Sequence, residues 1–278
     1  MPMKNSSQQN ALPTLFVPHG APTMALQPGE AGAAMVELAQ RIGQPKAVLM
    51  VSAHWDTRVP TLGVDPRPET VHDFYGFPQP LYAIRYHAPG AVALAMDARV
   101  LLEESGFEVA LDPRHGLDHG AWIPLRLMYP EATVPVLTLS LQGHLGPEHH
   151  YRLGQALAPL REAGVLIIGS GNLTHNLGHF HQLRGATAAP QYVTDFQGWM
   201  QQKLQAGDVD ALLAYRQLAP GAIQAHPTDE HLLPLYVALG AAGTNFVTEQ
   251  GYSGVEHNML AMDTYLFHPS ESNQGATP

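Results

Sequence analysis

Sixteen histidines stand against fourteen lysines and arginines combined in this 278-residue chain. Imidazole is the commonest metal ligand and the side chain that most readily moves protons near neutrality, so the excess points to site chemistry. The placement of these histidines is as informative as their number. The run Ala47-Val-Leu-Met-Val-Ser-Ala-His-Trp-Asp-Thr57 delivers His54 to the end of an apolar stretch. Thr14-Leu-Phe-Val stops at Pro18-His19-Gly20, and Val165-Leu-Ile-Ile stops at Gly169-Ser-Gly-Asn-Leu-Thr-His175. Val136 to Leu141 stops in the same manner at Gln142-Gly143-His144. Ala225-His-Pro-Thr-Asp-Glu-His231 supplies a further cluster, His226 and His231, beside Asp229 and Glu230.

Histidine and carboxylate ligands with open positions suit Zn(II) for hydrolysis or non-haem Fe(II) for oxygen chemistry. From spacing alone, the third ligand beside His19 and His54 is any of Asp229, Glu230 or His231, and a metal hydrolase stays open. The remaining histidines carry less. His119 near a helix start reads as a polar neighbour of the site, and His72 and His87 read equally as substrate contacts or surface groups. His144, His149 and His150 read as solvated; His179 and His181 follow His175 at spacings that suit a helical metal pair but read as surface histidines on a helix.

Short apolar runs bounded by turn residues, such as Ala47–Val51, read as strands buried on both faces. Ligands in open α/β sheets bind outside the carboxyl ends of such strands, where residues distant in sequence converge. Helical spacing follows at Ala33–Ile42, Ala91–Gly106 and His149–Ala163; Gly116–Tyr129 opens with turn residues and becomes an apolar helix, and residues 176–218 read as helical. Thr228 is a plausible cap for the helix carrying Leu232, Leu235, Tyr236 and Leu239. Further strands are expected at Phe107–Leu111, Val134–Leu141 and Met259–Phe267. The β-α-β start predicts two strands that are parallel neighbours, or nearly so. The fold class is therefore α/β, a single domain with a mainly parallel or mixed central sheet flanked by helices and an active site at the strand carboxyl ends. Residues 58–90, dense in proline, aromatics and glycine, break this rhythm and could wall a pocket for a flat ligand. Residues 1–11 and 269–278 are expected to be flexible, with 12–268 forming the domain.

Composition narrows the classes. A hydrophobic content of 45% supports a substantial core, and a net charge of −10 disfavours nucleic acid or an anionic membrane as partner. No cysteine is present, which excludes disulfides, thiolate nucleophiles, iron–sulfur clusters and Cys-type zinc sites. Met1–Asn10 lacks the apolar core of a signal sequence, and no run approaches the ~20 apolar residues of a membrane helix, so a cytoplasmic protein is expected.

Six ordered motifs cover nearly the whole chain: Phe16-Val-Pro-His-Gly-Ala-Pro22, Val51-Ser-Ala-His-Trp55, His72-Asp-Phe-Tyr-Gly-Phe-Pro78, Leu117-Asp-His-Gly-Ala-Trp122, Gly169-Ser-Gly-Asn-Leu-Thr-His-Asn176 and Pro227-Thr-Asp-Glu-His-Leu-Leu-Pro234. In these the sequence resembles the DOPA 4,5-dioxygenase-like branch of the class III (LigB-type) extradiol ring-cleavage dioxygenases. The resemblance implies that His19, His54 and His231 bind the metal, that His175 is the acid/base residue and that His119 has an active-site position. It implies cleavage of a catechol, DOPA-like or related, with both atoms of O2 incorporated to give a ring-opened semialdehyde. Fe(II) is the expected cofactor for activity. In the broader class the third ligand is commonly a glutamate, whereas the matching residue here is His231, and a three-histidine site also accepts Zn(II) on isolation. The expected partners are a small aromatic catechol and O2 for a monomer or small homo-oligomer. A zinc-dependent hydrolase or an inactive metal-binding homologue is the alternative.

Overall fold

The computed structural model describes residues 11–179, 182–183 and 186–270. Ten strands occur among them: β1 (Thr14–Pro18), β2 (Ala47–Asp56), β3 (Thr61–Gly63), β4 (Ala110–Asp112), β5 (Val136–Leu141), β6 (Val165–Gly171), β7 (Phe246–Tyr252), β8 (Val255–Glu256), β9 (Leu260–Ala261) and β10 (Thr264–Pro269). The helices are α1 (Gly29–Ile42), α2 (Gln79–Ala83), α3 (Val92–Glu104), α4 (His119–Met128), α5 (Gly146–Leu157), α6 (Gln191–Ala206), α7 (Val209–Leu213), α8 (Tyr215–Leu218), α9 (Ala222–Ala225) and α10 (Leu233–Ala241).

Eight strands form one sheet in the order β4-β3-β5-β2-β6-β1-β10-β7. Its centre, β5-β2-β6-β1, is parallel, while β10 and β7 add antiparallel at one side and β3 runs antiparallel to β5 at the other. The sheet is therefore mixed with a parallel core. β1 and β2 are parallel as the β-α-β start predicts, with β6 inserted between them.

The central strands read as continuous apolar runs because both faces are covered. Alternate side chains enter opposite cores. Leu15, Val17, Val48, Met50, Leu166 and Ile168 pack in one with residues of α1 and α4. Phe16, Leu49, Val51, Val165 and Ile167 pack in the other with residues of α3, α5, α6 and α10. Every residue of α10 is buried, so its sequence, apolar all round, reflects a helix sunk within a core rather than an amphipathic surface helix.

Several boundaries differ from expectation for identifiable reasons. The expected strand at Met259–Phe267 is two: Leu260–Ala261 pairs with β8, and the chain re-enters the main sheet only at Thr264, where the register shifts. β7 escapes the sequence reading because, at a sheet edge, its apolar Phe246-Val247 gives way at once to Thr248-Glu249-Gln250, and its residues are half-buried or exposed. Helix α5 starts at Gly146 and gives way to a 3-10 turn at Ala158–Arg161, which contains Pro159. Among the described residues of 176–218, regular helix begins only at Gln191 apart from one 3-10 turn at Leu177–His179. Thr228 does not cap α10. Its hydroxyl donates to Glu230 Oε1, while Asp229 O receives the N–H groups of Leu232 and Leu233 in the turns ahead of the helix.

Residues 1–10 and 271–278 and His181 lie outside the described residues, so the expectations for both termini and that histidine have no structural counterpart here. No helix among the described residues is long and apolar enough to cross a membrane.

Candidate functional site

His19 follows β1 directly, and His54 lies near the carboxyl end of β2. His231 sits in the turns ahead of α10, pressed against the end of β6. Asn172 N donates to His231 O, and a Cβ added at Gly171 would stand 2.0 Å from that oxygen, so only glycine permits this approach. One ligand nitrogen from each of His19, His54 and His231 falls within 4.8 Å of the others. His19 Nε2 and His54 Nε2 are 3.0 Å apart, the separation of neighbouring nitrogen donors on one ion with bonds of about 2.1 Å.

Ser170, inside β6, determines which nitrogen His19 offers. Its hydroxyl donates its one hydrogen to Gly120 O at 2.6 Å, so it must accept from His19 Nδ1–H at 3.0 Å. The lone pair of His19 is thereby left on Nε2. His231 Nδ1 is similarly paired, with Glu230 Oε1 at 3.2 Å. Burial, with the neighbouring imidazoles adding to it, holds His19 and His231 well below the ordinary histidine range. His54 is pushed down to about 3, chiefly by burial and then by His119. All three are therefore neutral near pH 7 and hold lone pairs for a cation. The donor set fits a divalent metal of the Zn(II) or Fe(II) kind.

His175 follows β6 and stacks on His231; its backbone N–H donates to Ala225 O at 2.9 Å. Burial lowers it to about 4. His119 is the first residue of α4, which Asp118 caps by accepting Ala121 N–H. Its ring lies 4.0 Å from that of His54. The structure thus brings together His19, His54, His119, His175 and His231.

His226 lies apart from this set. It is fully buried, with Nε2 on Leu173 O at 2.8 Å, and so ties down the segment leading to His175 instead of joining the cluster. His72 is held by Ile84 O at 3.1 Å within the 58–90 segment, and His87 is exposed. His150 corrects the expectation of a solvated residue: it is fully buried, accepting from Gln142 N–H and donating to Gly146 O.

Residues absent from the sequence reading support the set. Ser52 donates to Asp118 Oδ1 and accepts the backbone N–H of His54, linking β2 to the α4 cap. Asp73, from the 58–90 segment, accepts both the backbone N–H and Nδ1 of His119 at 2.9 Å, and its Oδ2 lies 3.6 Å from His54 Nδ1. Burial pushes Asp73 up, but the bonds from His119 outweigh it and hold the carboxyl at about 2. Phe74 stands edge-on to His119 and touches Phe77 and Tyr82, so the segment does set aromatic rings beside the cluster. The position of Asp73 inside a quoted motif was the signal for it; Ser52 and Ser170 gave none, since serine inside a strand is unremarkable without its neighbours.

Residues 13–262 match the family model described as the catalytic LigB subunit of aromatic ring-opening dioxygenase. The chain belongs to the LigB family. It is 42% identical over 265 residues to a 4,5-DOPA dioxygenase extradiol of Beta vulgaris, covering 94% of this chain and 98% of that one. It is 35% identical to a protein of the same description from Escherichia coli K12, covering 90% and 93%. Among solved structures, an uncharacterized Escherichia coli K12 protein superposes with a TM-score of 0.77 at 29% identity, covering 92% of this chain and 99% of its own. As a LigB protein the chain is a dioxygenase, and the hydrolase alternative gives way to oxygen chemistry.

Proposed function

We propose that this LigB protein is an Fe(II)-dependent extradiol dioxygenase that opens the ring of a catechol of the DOPA type to a semialdehyde. The observation that supports this most is the convergence of three neutral imidazoles, His19, His54 and His231, within 4.8 Å at the carboxyl ends of the parallel strands. The relatives described as extradiol DOPA dioxygenases support the substrate class.

His19, His54 and His231 would hold the metal, and its bound form supplies Lewis-acid and one-electron redox chemistry to the ring and to O2. His175 takes a hydroxyl proton from the catechol: burial keeps its ring neutral near pH 7, so it has a lone pair at the edge of the cluster to receive that proton. It would hold that proton for return to the opened ring. His119, on the His54 side, offers a polar contact to the other catechol oxygen. Phe74 and its aromatic neighbours exclude water from that side and present faces and edges to a flat ring.

Anaerobic loading with Fe(II), followed by O2 and a panel of catechols including DOPA, tests the reading. Stoichiometric oxygen uptake with a yellow product is expected. Absence of uptake with every catechol on a protein shown to carry iron would overturn it.

A further inference from the structure

His119 is held at two points by one carboxylate. Asp73 Oδ1 accepts its backbone N–H and Oδ2 meets its Nδ1, both at 2.9 Å. The first contact fixes where the residue sits, since His119 opens α4 and its N–H has no partner within the helix. The second bears on the ring. An ionised carboxylate only accepts, so the hydrogen it shares with the imidazole must be carried by Nδ1. In the neutral ring Nε2 then carries the lone pair, and it has no hydrogen-bond partner among the described residues.

We infer that Asp73 is a positioning residue that fixes the tautomer of His119, with the hydrogen on Nδ1 and Nε2 presented as an acceptor beside the histidine cluster. His119 flanks the cluster next to His54, whose ring is 4.0 Å away, whereas His175 flanks it next to His231. Two acceptors therefore stand on different sides of the three imidazoles. A catechol has two hydroxyl hydrogens to place, and each acceptor can receive one. The inference rests on the dioxygenase reading for what donates to Nε2; the tautomer itself does not depend on it. It also gives the 58–90 segment a second task besides walling the site, because its carboxylate reaches across to orient a ring on another element.

Asp73→Asn is the discriminating variant. The amide has the same shape, but with its one oxygen on the backbone N–H its NH2 group faces Nδ1 and drives the ring to the Nε2–H form. The measurement is a two-bond 1H–15N spectrum of zinc-loaded, 15N-histidine-labelled protein, with His119 assigned by the signal lost in His119→Gln. The parent is expected to show a protonated Nδ1 and the variant a protonated Nε2, at equal zinc content. With Fe(II), the variant's kcat is expected to fall by a factor of about 10² or more, with KM changed less than about threefold; the corresponding Asp→Asn change in a serine-protease triad drops kcat by about 10⁴. A parent His119 protonated on Nε2, or a tautomer switch that leaves kcat at the parental value, overturns the inference. If the parent takes up no oxygen with any catechol, the functional reading fails, while the spectra still decide the tautomer.

Discussion

His175 lies flat on His231, with ring centroids 3.4 Å apart and planes 9° from parallel. The contact meets both imidazoles on their faces and leaves their ring nitrogens to separate partners, His231 Nδ1 meeting Glu230 Oε1. His175→Ala should therefore spare the metal while removing the base. Metal content equal to the parent and a kcat lowered by ~10²–10⁴ are expected from metal analysis beside oxygen uptake. Parental turnover would show that the proton is handled elsewhere.

Removing a donor should have the opposite signature. His54→Ala deletes one of three converging nitrogens, so metal retained after desalting should drop to a small fraction of the parent's. Full retention would count against this ligand set.

Ser170 acts one bond further out, through the hydrogen on His19 Nδ1. Ser170→Ala leaves that group unpaired and the ring free to turn. Zinc affinity measured by competition with a chelator should weaken by a factor of about 10 to 100. An unchanged constant would contradict the role derived from its hydrogen bonds.

Gly171→Ala forces a methyl group against His231 O, where 2.0 Å is available. Urea unfolding should show a loss of about 1–3 kcal/mol, accompanied by weaker metal binding if His231 is the proposed third ligand, because the displaced oxygen is its own. A parental midpoint together with parental metal binding would sink the close-packing argument.

Burial holds His150 at about 3, well below the ordinary histidine range near 6.5. The unfolded chain therefore gains a proton as pH falls below 6.5 that the native state refuses until about 3. Stability from neutral His150 is fully present above pH 6.5 and is lost toward pH 3, at up to ~1.4 kcal/mol per pH unit. His150→Gln should show a shallower fall between pH 6.5 and 4 in urea titrations. Parallel curves for parent and variant would disprove this.

The sequence displayed the parts of the fold that obey one rule over several residues. Ala47–Val51 and Val165–Ile168 are apolar without interruption because they are buried on both faces, and the histidines after them mark the strand ends. Phe246–Tyr252 carries no such run, since an edge strand is satisfied by half-burial, and only its pairing with β10 identifies it. In the site, the histidines were visible by type. The groups that orient them were not, because Ser170, Ser52 and Asp73 acquire meaning only from partners supplied by other elements. His150 was misread for a related reason: a histidine beside a turn resembles a surface group until its two hydrogen bonds show it as part of the core.

β1 sits between β6 and β10, so the strand that leads into His19 is sealed in place by segments from the middle and the far end of the chain. A nascent or half-assembled protein consequently owns the imidazoles but not their geometry. Under the proposed ligand set, capture of a cation is an event of the finished fold, and its binding energy would add to the stability of the whole domain, growing with the logarithm of free metal concentration.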